Sequence, residues 1–371
     1  MILMNDFKSE PEIMRVAMVA ASRRVFESGW YVLGSEVDTF EKKWASICGV
    51  QNGIGVANGM DAIEISLRAL NIGPGDEVIT TPMTAFASVL AILRAGATPV
   101  LADIDPNTAL LSMDSVKRCL TNKTKAVVLV HLYGQLRNIS NWVTFCNEVN
   151  IQLIEDCAQA HLAAINGKVA GSFGTLGAYS FYPTKNLGAI GDAGMIVTAN
   201  IELADKAKRI RNYGQSVRYQ HPEIGMNSRM DELQAALLLE RLKWLHDFTK
   251  RRQDIANSYI SGISCKHIKQ LAQPEEKAAH VYHLFVMTCE MRDELQDHLH
   301  NCGIQALIHY PIPVHNQEPC IQIARDPRGL QNSEIHARRC ISIPCHPQMT
   351  DDDVQHVISS VNSFNDGVTL K

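Results

Sequence analysis

The strongest constraint on the fold of this chain is a regular alternation of short β-branched runs with longer segments of helical periodicity. Residues 77–82, 98–104, 125–131, 152–157, 176–182 and 195–198 read as strands. Between them, 61–69, 85–93, 140–149 and 203–211 carry apolar residues at helical spacing. Strands joined through helices lie side by side in a mostly parallel sheet with helices against it, so an α/β domain of the doubly wound type is expected. Residues 230–250 read as one long helix, and beyond it the signals thin. This places a boundary near residue 246, between a large α/β domain (1–245, with an N-terminal arm) and a smaller C-terminal α+β domain (246–371). In the latter, 280–288 reads as extended and 292–301 as helical, and Thr350-Asp351-Asp352-Asp353 opens a last helix.

Charge and composition narrow the partners. The net charge is −4 and no long Lys/Arg run occurs, which excludes a nucleic-acid footprint and leaves small molecules. The four apolar residues before Asn5 are too few for a signal-peptide core or a membrane helix, and a cytoplasmic protein with no membrane contact is expected. Ten cysteines, none in a CxxC pair, read as reduced thiols.

Three segments carry chemistry. In Ser180-Phe181-Tyr182-Pro183-Thr184-Lys185-Asn186, a lysine among apolar neighbours follows a strand. Desolvation there favours the neutral amine that an imine-forming lysine needs, although taken alone Lys185 reads as an ordinary loop lysine. In Leu153-Ile154-Glu155-Asp156-Cys157, two carboxylates end a core strand and point to opposite faces, so one of them looks into a site. Asp156 suits the pyridine nitrogen of a cofactor, or a helix cap. In Val56-Ala57-Asn58-Gly59-Met60-Asp61 a strand turns into a helix whose first amides form an anion site suited to phosphate, or a plain cap. This is not the GxGxxG fingerprint, because after Gly53 and Gly55 the next glycine is at 59. Ser180 is placed to reach the same phosphate, while Asn227 and Arg229 precede the long helix as capping candidates. The pairs His280/His283 and His298/His300 lack the flanking Glu or Cys of a zinc motif, so no metal is expected.

Together these segments, with Ser28-Gly29-Trp30-Tyr31-Val32-Leu33-Gly34, Val130-His131-Leu132-Tyr133-Gly134-Gln135, Arg229-Met230-Asp231-Glu232-Leu233-Gln234 and Ile308-His309-Tyr310-Pro311, resemble the DegT/DnrJ/StrS family of sugar-nucleotide aminotransferases over nearly the whole chain. The resemblance implies the fold type I architecture of pyridoxal-phosphate (PLP) transferases, with Lys185 as the Schiff-base lysine. It implies that Asp156 pairs with the pyridinium nitrogen, Gln159 approaches the ring hydroxyl, and Asn58, Gly59, Met60 and Ser180 surround the phosphate. Asn227 would reach across from a second subunit, which makes a homodimer with its active site at the interface. His309, Tyr310, Arg218 and Tyr182 would contact the nucleotide sugar.

Two positions depart from the family pattern. Met60 stands where relatives often have threonine, and Ala85 stands where they commonly have a ring-stacking aromatic, which leaves Phe86, next to it, as the stacking candidate. The implied reaction moves an amino group from L-glutamate to a nucleotide-linked keto-6-deoxy sugar, as in dTDP-3-keto-6-deoxyhexose transamination for O-antigen, lipopolysaccharide or other glycan synthesis. Acceptors with a 4-keto group, on dTDP, UDP or GDP, are the alternative. Dehydratase relatives replace the lysine with histidine, whereas this chain keeps Lys185. A PLP-binding regulatory protein without turnover is a further reading.

Overall fold

The computed structural model describes residues 1–364; the end of the expected C-terminal domain, from 365 onward, lies outside the described residues. Helices α1 (Glu12–Ser28) and α2 (Ser35–Cys48) lead into β1 (Asn52–Val56) and α3 (Gly59–Ala69). Next come β2 (Glu77–Thr80), α4 (Phe86–Arg94), β3 (Thr98–Leu101), α5 (Met113–Cys119), β4 (Thr124–Val130), α6 (Ile139–Glu148) and β5 (Gln152–Asp156). A hairpin of β6 (Ala164–Ile165) and β7 (Lys168–Val169) precedes β8 (Leu176–Ser180), β9 (Gly194–Thr198), α7 (Ile201–Ile210), α8 (Glu232–Leu242) and α9 (Leu245–Gly262). The tail adds β10 (Ile268–Gln270), β11 (Phe285–Cys289), α10 (Arg292–Asn301), β12 (Ala324–Arg325), α11 (Gln331–Arg339), β13 (Cys340–Ile343) and α12 (Asp351–Asn362).

Eight strands form one sheet in the order β1-β9-β8-β5-β4-β2-β3-β12, and only β9 runs against the rest. Because side chains alternate, Val127, Leu129 and Leu153 enter one hydrophobic cluster while Ala126, Val128 and Ile154 enter another on the opposite face. Both faces are dry, which is why these strands read as unbroken apolar runs. The shared direction brings the C-terminal ends of β2, β4, β5 and β8 to one edge, where α/β folds build their sites. A third cluster, with Tyr259, Met287, Leu295, Ile341 and Val357, surrounds the small antiparallel sheet β10-β11-β13. Thr350 caps α12 in a reciprocal box with Asp353.

Two expectations are corrected. The single helix over 230–250 is two, α8 and α9, separated at Lys243-Trp244, where i→i−3 bonds to Glu240 and Arg241 close a tight turn. The break lets α8 bury its apolar residues against α1 and α2 while α9 sends Ile255, Ala256 and Tyr259 into the C-terminal cluster. One straight helix would have to expose one of these faces. The extended run over 280–288 is a strand only from Phe285, because Tyr282 is left-handed (φ 44°) and residues 279–281 bond instead to the loop at 134–136.

Glu232, buried at the start of α8, accepts the N–H groups of Gly34, Glu36 and Val37 at 2.8, 2.9 and 3.0 Å, so one carboxylate caps α2 and ties it to α8. Glu232→Ala is expected to lower the unfolding free energy by about 2 kcal/mol in urea titrations, with Glu232→Gln costing about half as much.

Candidate active site

Strand β5 ends with its two carboxylates on opposite faces. Glu155 is completely buried, and its oxygens accept the backbone N–H groups of Gly171, Phe173 and Gly174 at 2.8 to 2.9 Å and meet His131 Nε2 at 2.9 Å. Burial pushes its pKa up, but the His131 hydrogen bond and charge and the backbone amides outweigh this and hold it below the usual 4.5. Glu155 thus pins the turn at 171–174 to the sheet. It also lies near His131 and Cys157 in a cluster dense enough to suggest a metal, yet its lone pairs are already taken and burial keeps the Cys157 thiol protonated.

Asp156 faces the other way, into a cavity of about 90 Å³ at the C-terminal edge of the sheet. Its Oδ2 accepts from Ser88 Oγ at 2.8 Å and its Oδ1 from the Ala158 amide at 3.1 Å. Ser88 in turn meets Thr84 Oγ1 at 2.9 Å. The carboxylate is therefore oriented by a hydroxyl pair at the start of α4, Ser88 in its first turn and Thr84 just ahead of it. Sequence reading missed Ser88, although the i, i+4 spacing of Thr84 and Ser88 at a helix start is its signal.

Lys185 lines the same cavity, on the loop that leaves β8. That loop folds back through Lys185 N to Tyr182 O and Ala189 N to Phe181 O, both 2.8 Å, and buried Phe181 roots it against Phe40 and Trp44. Lys185 is half-buried, and desolvation, partly opposed by Asp156, pulls its amine down to about 8. Burial and the lysine's charge also keep the nearby imidazoles neutral, with His161 lowered to about 3 and His309 to about 4.

The remaining wall is the start of α3. Asn58 Oδ1 caps the helix by accepting from Asp61 N at 2.8 Å, and Gly59 and Met60 line the cavity beside Ser180. Their amides are first-turn donors that the helix cannot pair internally. A Cβ on Gly59 would stand 2.5 Å from Ser180 Cβ, so only glycine lets the helix end approach the strand end this closely. Gln159 accepts the Tyr133 amide at 2.6 Å and reaches the Tyr310 hydroxyl at 3.3 Å; Tyr133 in turn donates its hydroxyl to the His309 carbonyl at 2.6 Å.

The fold thus brings Gly59, Met60, Asp156, Gln159, Ser180 and Lys185 around one cavity. Phe86 does not line it, whereas Ala85 and Ala87 do. Tyr182 is half exposed, Arg218 stacks on Tyr219 in an exposed hairpin, and Asn227 accepts from Arg229 outside the cavity. Of the four candidate histidines, His280 stacks on Tyr282, His283 bonds Asn186 and His298 bonds the Ser360 carbonyl, while His300 lies in the last turn of α10. A larger groove of about 300 Å³ beside α6 and β5 is lined by no charged side chain and supplies neither acid nor base.

Because the folded-state pKa of Glu155 is depressed, its contribution to stability is present above the unfolded value near 4.5 and drains away as pH falls below it. Glu155→Gln is expected to destabilise the protein by about 2 kcal/mol at neutral pH and to flatten the acid loss between about pH 5 and 3, read from urea unfolding at each pH.

The family model described as the DegT/DnrJ/EryC1/StrS aminotransferase family matches residues 13–362. The chain is 44% identical over 344 residues to the dTDP-3-amino-3,6-dideoxy-alpha-D-galactopyranose transaminase of Aneurinibacillus thermoaerophilus, covering 93% of this chain and 94% of that protein. It is 39% identical over 357 residues to a pleiotropic regulatory protein of Geobacillus stearothermophilus, covering 96% and 95%. A solved structure of S. venezuelae DesV in complex with a ketimine intermediate superposes with a TM-score of 0.92 at 38% identity, covering 98% of this chain and 97% of that one.

Proposed function

The chain belongs to the DegT/DnrJ/EryC1/StrS aminotransferase family, and from that membership and the cavity around Lys185 we propose that it is a PLP-dependent aminotransferase moving the amino group of L-glutamate to a nucleotide-linked 3-keto-6-deoxy sugar. One observation carries this reading: a desolvated lysine, an oriented carboxylate and a helix N-terminus share one cavity. The residues fit the cofactor. Lys185 would hold it through its amine, and the Gly59 and Met60 amides with the Ser180 hydroxyl would receive its phosphate at the positive end of α3. Asp156 would face the ring nitrogen, and Gln159 the ring hydroxyl.

When bound, PLP supplies a ring that withdraws electrons from the carbon bearing the amine. Asp156 would support that by keeping a proton on the ring nitrogen, its carboxylate held in place by Ser88 and the Ala158 amide. With its amine free, Lys185 would act as the base: its Nζ, lowered to about 8, would take and return the proton at the amine-bearing carbon of the substrate. The second half of the cycle uses the same amine in reverse on the keto sugar.

The name of the Aneurinibacillus relative puts its amino group at position 3 of a dTDP-linked dideoxy sugar, which favours a 3-keto acceptor over a 4-keto one. Tyr182, Arg218, His309 and Tyr310 are assigned to the sugar nucleotide and Asn227 to the phosphate of a second subunit, whereas Phe86, which does not line the cavity, is left without a place at the cofactor ring. A homodimer is supported by the exposed apolar residues of the N-terminal arm, among them Ile13, Val16, Val19, Phe26, Trp30 and Tyr31. The same reading divides the chain near residue 246, where α9 turns toward the C-terminal cluster. We place the protein in the cytoplasm, supported by ten free cysteines, and assign its product to O-antigen or related glycan synthesis. Among the described residues no helix is long and apolar enough to cross a membrane.

A regulatory reading is prompted by the name of the Geobacillus relative, and glutamate-dependent turnover is what separates the two readings. Lys185→Ala is expected to remove the visible absorption of lysine-bound pyridoxal and to lower amino transfer by about a thousandfold or more, in assays with glutamate and dTDP-linked 3-keto and 4-keto sugars. Transfer at the native rate in this variant, or no formation of 2-oxoglutarate by the native chain with any sugar in the panel, overturns the assignment.

A further inference from the structure

The residue after Lys185 is tied to a distant part of the chain. Asn186 is buried; its Nδ2 donates to the Val281 carbonyl at 3.0 Å and its Oδ1 meets His283 Nδ1 at 3.1 Å. Since the N–H end of this amide is committed to a carbonyl, the oxygen is what faces the imidazole, and His283 therefore presents Nδ1–H. Nε2 of His283 is then the acceptor nitrogen, with no protein partner among the described residues.

The segment that receives Asn186 is held on several sides. The Ala279 carbonyl accepts the Leu136 amide at 2.7 Å, and the Val281 amide donates to Gly134 at 3.0 Å. His280 stacks on Tyr282 at 3.8 Å, and buried Arg252 Nη1 donates to the Cys345 carbonyl at 2.6 Å and reaches those of Tyr282 and His283 at 3.4 Å. A loop bonded to this segment inherits its rigidity.

We propose that Asn186 and His283 are a positioning pair, which latches the lysine loop to segment 279–284 and so fixes the Lys185 amine against the cavity wall. The latch acts through the backbone of the neighbouring residue, and its meaning for catalysis rests on Lys185 being the cofactor lysine. The titratable groups around the amine are Asp156 from β5, His161 beyond it, and His283 and His309 from the C-terminal segments. The three imidazoles stay neutral through burial, so the latch adds no second cation beside the amine. Releasing it admits water to Lys185 and lets the amine rise toward the ordinary lysine range.

The test uses the full chain freed of cofactor and treated with trinitrobenzenesulfonate across a pH series, with modification of the Lys185 peptide read by mass spectrometry. Asn186→Ala and His283→Ala are expected to move the reactivity midpoint up by about one pH unit, a loss of about fivefold in reactive amine at pH 8. His283→Asn, whose amide N–H falls where Nδ1–H was, should return the profile to within about twofold of the native chain, and His283→Gln should not. A native profile in both alanine variants overturns the latch, as does a His283→Asn variant no closer to native than His283→Ala. The reagent reads the amine without cofactor or sugar, so this outcome is separate from that of the aminotransferase assay.

Discussion

The site depends on one step of strand geometry. At the end of β5 two adjacent carboxylates must leave the sheet on opposite sides, because consecutive side chains in a strand alternate. Glu155 goes toward four hydrogen-bond partners and becomes structural mortar for the turn at 171–174. Asp156 goes toward the cavity, where Ser88 and the Ala158 amide occupy one lone pair on each oxygen and leave the carboxylate aimed and accessible. A register slip of one residue would exchange these positions, turning Asp156 toward the 171–174 turn and Glu155 toward the cavity. The parallel pairing of β5 with β4 and β8 fixes the register, so the chemistry inherits its precision from the sheet.

Most of the large sheet is legible in the sequence because both its faces are dry: β4 and β9 are uninterrupted apolar runs with glycine and polar residues only at their ends. Lys185, Asp156 and Gly59 are legible too, since each stands at the end of a strand or the start of a helix, where local pattern and chemical type agree. What is not legible depends on contacts made far away. The turn at Lys243-Trp244 has no glycine or proline, and two cores pulling in different directions create it. Residues 280–284 have strand-like composition but pair with a loop more than a hundred positions earlier instead of with a neighbouring strand. Ser88 is an ordinary helical serine until the fold sets it 2.8 Å from Asp156.

Desolvation organises the electrostatics of the cavity. It lowers Lys185 and the surrounding histidines together and raises the Tyr310 hydroxyl to about 12. Imidazolium and phenolate are both suppressed, which leaves the Lys185 amine, at about 8, as the group in the cavity nearest neutrality. Asp156 then stands as the lone carboxylate of the cavity, facing the Lys185 amine across otherwise uncharged groups, and low polarity lengthens the reach of its charge.

The close approach of Gly59 to Ser180 has a consequence for how this protein can vary. The two positions belong to different elements and lie far apart in sequence, yet the space between them is already spent: a methyl group at 59 meets the side chain at 180 before it meets solvent. Substitution at 59 therefore has to follow a loss of bulk or a backbone shift at 180. Drift at one position is conditional on the other, and the pocket's inner end is inherited as a unit.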